Sequence, residues 1–178
     1  MSPVDLFLTW WLRSGRHRWS WLRRKILEGK YLAVDLPAAN SLKEIEDCLS
    51  QVTWTMDGPL HLFDCISYPQ RTWATKKDDC DGFASLAAKL LSQWNTGCRP
   101  VLITAMVRPV KGSHTVCAFS SGADSIWFFD NSLLRKEICQ CYRDVVSEIT
   151  FRGSRLVCWD VRDPDTLEAI EFHKVPND

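Results

Sequence analysis

Leu8, Leu12, Gly15, Trp19, Leu22 and Ile26 recur at helical spacing near the start of the chain, while Arg13, Arg16, His17, Ser20 and Arg23 fall elsewhere on the wheel. The pattern predicts a basic amphipathic helix within residues 1–30 whose Trp/Leu stripe packs onto the body; contact with a partner or a membrane surface is the alternative. Ser41 with Glu44 predicts a capped helix through about Leu49. Gly58, Pro59 and Pro69 then interrupt any long element between Thr53 and Lys77, leaving room for a helical turn over Leu60–Cys65. From Asp81 to Trp94 the period is again helical, with Phe83, Ala87, Leu90, Leu91 and Trp94 on one stripe, Asp78 and Asp79 at the N-cap and Gly97 beyond the end.

Apolar, strand-like runs follow at Cys98–Val107, His114–Ser120, Ser125–Asp130 and Ser154–Val161, and Asp163-Pro164 reads as the start of a short helix through about Phe172. A hairpin symmetric about Gly122 would set His114 opposite Asp130, Val116 opposite Phe128 and Ala118 opposite Ile126. These elements predict an α+β fold in which one helix packs on an antiparallel sheet, preceded by an extra N-terminal helix.

Composition changes the picture in two places. A chain of 178 residues, 46% hydrophobic, is expected to form one domain over residues 1–178, and 22 basic against 22 acidic residues give no global pull toward nucleic acid. Residues 1–30, however, hold seven basic and two acidic side chains, a local charge of +5 against −5 for the rest, so the segment reads as a basic appendage on an acidic body. Several of the eight cysteines sit in apolar runs, which suggests reduced thiols and a cytoplasmic setting. Val4–Leu12 precedes the arginines and is short, so neither a secretory signal nor a transmembrane segment is expected.

The candidate chemistry lies at Cys80. A thiol in the first turn of a helix meets the positive end of the macrodipole and unpaired amide N–H groups, which favour thiolate and can stabilise an oxyanion. Such a thiol needs a base, and His114 with Asp130 as its orienting carboxylate completes a Cys-His-Asp set. His17, His61 and His173 read as structural, and Asp130 before Asn131 and Ser132 could also serve as a turn initiator.

The stretch Trp73-Ala74-Thr75-Lys76-Lys77-Asp78-Asp79-Cys80-Asp81-Gly82-Phe83-Ala84 resembles the Trp-Ala-Thr segment and acidic-Cys-acidic helix start of bacterial transglutaminase-like cysteine peptidases. Ser113-His114-Thr115-Val116 and Phe129-Asp130-Asn131 look like the His and Asp-Asn motifs of the same superfamily, in the same order, over roughly residues 60–135. The resemblance implies a papain-like transglutaminase core and attack of Cys80 on an amide carbonyl of a protein or peptide, giving a thioester resolved by water or by an amine. Lys76-Lys77 stands where family members often have a longer apolar insertion. A second oxyanion donor is expected from the loop before the cysteine, with Trp73 or Gln70 as candidates beside a packing role for the tryptophan.

Some relatives bind calcium beside the nucleophile, which makes Asp78, Asp79 and Asp81 conceivable ligands; helix capping accounts for them more simply, and no cofactor is expected. The Asp79-x-Asp81-Gly82 fragment is no EF-hand, since Lys77 and Ala88 occupy its first and twelfth positions. A zinc site at His114, Cys117, Cys139 and Cys141 is disfavoured, because residues three apart on a strand point to opposite faces. A thioester-forming cysteine hydrolase is therefore the expected function. A transglutaminase or deamidase with the same triad and a silent binding module are the alternatives.

Overall fold

Val101–Arg108 (β3) is apolar on both faces, and in the computed structural model, which describes residues 2–56, 65–122 and 125–176, it lies inside a six-stranded antiparallel sheet. The other strands are His114–Ser120 (β4), Ile126–Asp130 (β5), Leu133–Cys139 (β6), Arg155–Arg162 (β7) and Ala169–Lys174 (β8), in the order β6-β5-β4-β3-β7-β8. Thr53–Trp54 (β1) and Lys77–Asp78 (β2) form a separate parallel pair. The helices are Pro3–Trp10 (α1), Arg16–Leu27 (α2), Leu42–Leu49 (α3), Pro69–Thr75 (α4), Cys80–Trp94 (α5) and Tyr142–Ile149 (α6). The turn expected at Leu60–Cys65 falls almost wholly outside the described residues.

Strand alternation divides the core. Leu102, Cys117, Phe119 and Phe129 face α5 and pack with Phe83, Ala87, Leu90 and Leu91. Ile103, Val116, Ala118 and Phe128 face the opposite side and pack with Val145, Val146 and Ile149 of α6. Leu8, Trp11 and Leu12 cover Met106 and Cys158 next to the α5 layer. The result is the expected α+β arrangement, with α5 on an antiparallel sheet and an added N-terminal helix. Among the described residues no helix is long and apolar enough to cross a membrane.

The N-terminal helix departs from the expected faces. A π-helical turn at Trp11–Gly15 joins α1 to α2 and holds an extra residue per turn, so the buried ridge steps by four through Leu8, Leu12, Arg16, Ser20, Arg24 and Glu28. Trp19, Leu22 and Ile26, expected against the body, are exposed instead. Hydrogen bonding accounts for the inversion: Ser20 Oγ accepts the Ile66 N–H at 2.9 Å, and Arg24 donates to the carbonyls of Ile66 and Ser67 and to Ser85 Oγ. The segment is therefore built into the body. Asp5 is also buried, held by Arg155 at 2.8 Å and Arg108 at 3.2 Å; burial pushes its carboxyl up, but the two arginines outweigh that and keep it at about 2.

Two further expectations are corrected. The chain after Asp163-Pro164 is no helix: Asp163 Oδ1 accepts the N–H groups of Asp165 and Thr166, Leu167 takes φ 61°, and the chain returns as β8. In the β4–β5 hairpin Ala118 pairs with Phe128, not with Ile126, so the register sits two residues from the one symmetric about Gly122. An even shift keeps every side chain on its face, leaving His114 and Asp130 on one side of the sheet as diagonal neighbours.

Candidate active site

Cys80 is the first residue of α5, and Asp79 caps the helix by accepting the Asp81 N–H at 3.2 Å. Cys80 is half-buried as a residue and borders a cavity of about 260 Å³. His114, the first residue of β4, borders the same cavity, as does Asn131 just after β5. His114 Nε2 lies 2.7 Å from Asp130 Oδ1, with the side chains 15% and 28% exposed. Asn131 adopts φ 52° and donates its Nδ2–H to Asp130 Oδ1 at 3.4 Å. The hydrogen bond from His114 holds the Asp130 carboxyl below its usual range, against the upward push of burial.

The cavity is otherwise mostly apolar. Phe7 and Trp11 from the N-terminal helix, Trp54 at the end of β1, Met56 just beyond it, Met106 on β3 and Phe151 after α6 form its walls. Trp54 and the N-terminal residues were invisible to sequence reasoning as site residues, because they come from far up the chain and their neighbourhood exists only after folding. Trp73 and Gln70 are placed elsewhere. Trp73 lies on α4, packs against the core beneath α5 and is covered by the Lys76 ammonium, while Gln70 borders a separate surface hollow with Tyr68 and Lys89. Neither Trp73 nor Gln70 borders the cavity shared by Cys80 and His114.

The acidic residues beside Cys80 are each engaged by the protein. Asp78 accepts from Thr72 Oγ1 at 2.6 Å and from Arg71 Nη1 at 2.9 Å, and Arg71 in turn lies 3.6 Å from Glu28 at the end of the N-terminal helix. Asp81, fully buried, pairs with Arg16, whose guanidinium also donates to Thr104 Oγ1 at 2.8 Å and Thr115 Oγ1 at 3.1 Å. The N-terminal helix thus grips both flanks of the α5 start. Donor atoms of Asp79, Cys80 and Asp81 fall within 4.8 Å of one another, and among the described residues no other such group forms, so His114, Cys117, Cys139 and Cys141 do not assemble.

Gly82 is needed for this packing. A Cβ there would overlap the Asp78 carboxyl, which Thr72 and Arg71 hold in place. Gly82→Ala is therefore expected to destabilise by about 1–3 kcal/mol, reversing the gain of about 1 kcal/mol that alanine ordinarily gives in a helix. Denaturant unfolding of the variant checks the sign.

All eight cysteines are free. Burial pushes six thiols up: Cys158 to about 12, Cys139 to about 11, Cys117 well above its ordinary value, and Cys48, Cys65 and Cys98 in the same direction. Those six are poorly suited to act as nucleophiles at neutral pH.

A helix-start cysteine and a carboxylate-bound imidazole border one cavity. The chain is similar in structure to calcium-bound LapG of Legionella pneumophila, with 16% identity and a TM-score of 0.48 over 82% of this chain and 76% of that one. No protein-family model and no curated protein matches the sequence.

Proposed function

We propose that the protein is a cysteine-dependent hydrolase that cleaves an amide bond in a protein or peptide, with Cys80 as nucleophile, His114 as general acid–base and Asp130 as the orienting carboxylate. The observation that carries this reading is the cavity bordered by both Cys80 and His114, together with the 2.7 Å contact from His114 Nε2 to Asp130 Oδ1. An ionised Asp130 accepts the Nε2–H, which leaves the Nδ1 lone pair for the thiol proton. Sulfur then attacks the carbonyl carbon, and backbone N–H groups at the start of α5 stabilise the oxyanion. As the tetrahedral intermediate collapses, the C–N bond breaks and the amine leaves with the proton from Nδ1. Water, deprotonated by the same Nδ1, resolves the thioester and frees a carboxylate and Cys80.

The walls contributed by Phe7, Trp11, Met106 and Phe151 favour a substrate with an apolar side chain next to the scissile bond. An amine in place of water would make the same acyl-enzyme a transamidating one. Incubation with a mixture of apolar and polar peptides, with and without a reporter amine, separates the cases by mass spectrometry. Cleavage confined to apolar sites and lost in Cys80→Ser is the expected outcome. Amine incorporation would reassign the reaction to transamidation, and no turnover on any peptide would oppose the hydrolase reading.

A further inference from the structure

The N-terminal helix turns its polar residues inward and its apolar residues outward. Arg16, Ser20, Arg24 and Glu28 are buried, whereas Trp19, Leu22 and Ile26 form an exposed ridge at i, i+3 and i+7 spacing on α2. Ile26 is 66% exposed and Trp19 50%, while Trp21, 53% exposed, lies on another face under the Lys25 ammonium. Arg18 and Lys25 lie one helical step from Leu22 on the same surface and are exposed. A helix face of this composition in contact with water is the reverse of what burial favours.

The charge of the segment itself points to an anionic partner, although exposed Asp165 shares a surface hollow with Trp21 and Lys25. The two acids of residues 2–34, Asp5 and Glu28, are each 2% exposed and already paired with arginines. The exposed charges over the same span, Arg13, Arg18, Lys25 and Lys30, are all cationic. We propose that this face docks on an anionic lipid bilayer, with Trp19, Leu22 and Ile26 entering the interfacial layer and Arg18 and Lys25 meeting lipid headgroups. Tryptophan suits the headgroup depth because its apolar ring and polar N–H are both satisfied there. A twofold dimer through this ridge would set Arg18 and Lys25 against their own copies, which disfavours self-association. The docking leaves the buried ridge in place, since that ridge anchors α2 to Ile66, Ser67 and Ser85.

Co-flotation of the full chain with vesicles tests the inference, comparing phosphatidylcholine alone with phosphatidylcholine mixed with phosphatidylglycerol. The protein is expected to float with the anionic vesicles only, to be released by high salt, and to show a blue-shifted tryptophan emission when bound. Neutralising Arg18→Gln with Lys25→Gln lowers the partition by roughly 25-fold, about fivefold per charge. Replacing Trp19, Leu22 and Ile26 together by serine abolishes flotation and the blue shift. Both variants change exposed side chains, and unfolding midpoints verify that each folds; the charge variant decides alone if the apolar one does not fold. The inference is overturned if the wild type ignores anionic vesicles, if it binds neutral ones equally, if both folded variants float like the wild type, or if light scattering shows a dimer that the serine variant breaks.

Discussion

Arg16→Met is expected to lower the unfolding free energy by about 3–5 kcal/mol, the usual effect of leaving one partner of a buried ion pair uncompensated. Arg16 and Asp81 are both fully buried, and the guanidinium also satisfies Thr104 and Thr115 on adjacent strands. Removing it strands a carboxylate at the second residue of α5, directly after Cys80. The double variant Arg16→Met with Asp81→Leu is expected to recover much of the loss, because an apolar pair of similar volume avoids desolvating two charges. Denaturant unfolding of the single and double variants closes the cycle and gives the coupling energy. Full loss in the double variant would mean that Arg16 acts mainly through its threonine contacts.

The largest effect on turnover is expected at the His114–Asp130 pair. His114→Ala should reduce amide cleavage by about 10²–10⁴-fold, the range for loss of a general acid–base. Asp130→Asn should be as severe, on the order of 10³–10⁴-fold, although it changes little volume. An asparagine amide can donate to Nε2, which places the ring proton on Nδ1 and removes the acceptor that the thiol needs. Because His114 holds the Asp130 carboxyl below its ordinary range, the contribution of this contact is present above the ordinary carboxylate pKa and is lost as pH falls through the depressed value. The Asp130 charge, and with it this contact, should therefore persist from neutral to mildly acidic pH, which a carboxyl-carbon NMR titration checks.

The sequence made the centre of this fold legible and its margins less so. Val101–Arg108, His114–Ser120 and Cys80–Trp94 carry strong apolar periodicity and stand close to where that periodicity puts them. The two strands of the six-stranded sheet that the pattern does not predict, β6 and β8, are its edges, and the short pair β1 and β2 is not predicted either. β6 carries Arg135, Lys136 and Glu137 in a row, and β8 alternates Glu171 and His173 with Ile170 and Phe172; such charges protect edges and mask strand signals. α6 was missed because Cys141 occupies its N-cap, where Asp144 reaches back to the Cys141 N–H at 3.1 Å. The inverted face of α2 was illegible for another reason: Arg16 and Arg24 are buried by partners 42 to 140 residues away, a fact no local period contains.

At the candidate site, the residues that carry short motifs could be named from sequence, and the walls could not. Cys80, His114 and Asp130 stand out because helix start, strand start and strand end are local signals. Phe7, Trp11 and Trp54 become site residues only when the N-terminal helix and β1 close over the cavity. Trp73 lies on α4 and packs against the core from a partly buried position, outside the lining of the cavity.

The most direct test of the proposed chemistry is the alkylation rate of each cysteine by iodoacetamide at neutral pH, read by peptide mass spectrometry in the wild type and in His114→Ala. Exposed Cys141 serves as the reference for an accessible thiol, and the six cysteines pushed up by burial should label slowest. The account predicts that Cys80 labels well ahead of Cys141 and loses that lead in His114→Ala. Equal labelling of Cys80 and Cys141 in the folded wild type, unchanged by the histidine substitution, would contradict it.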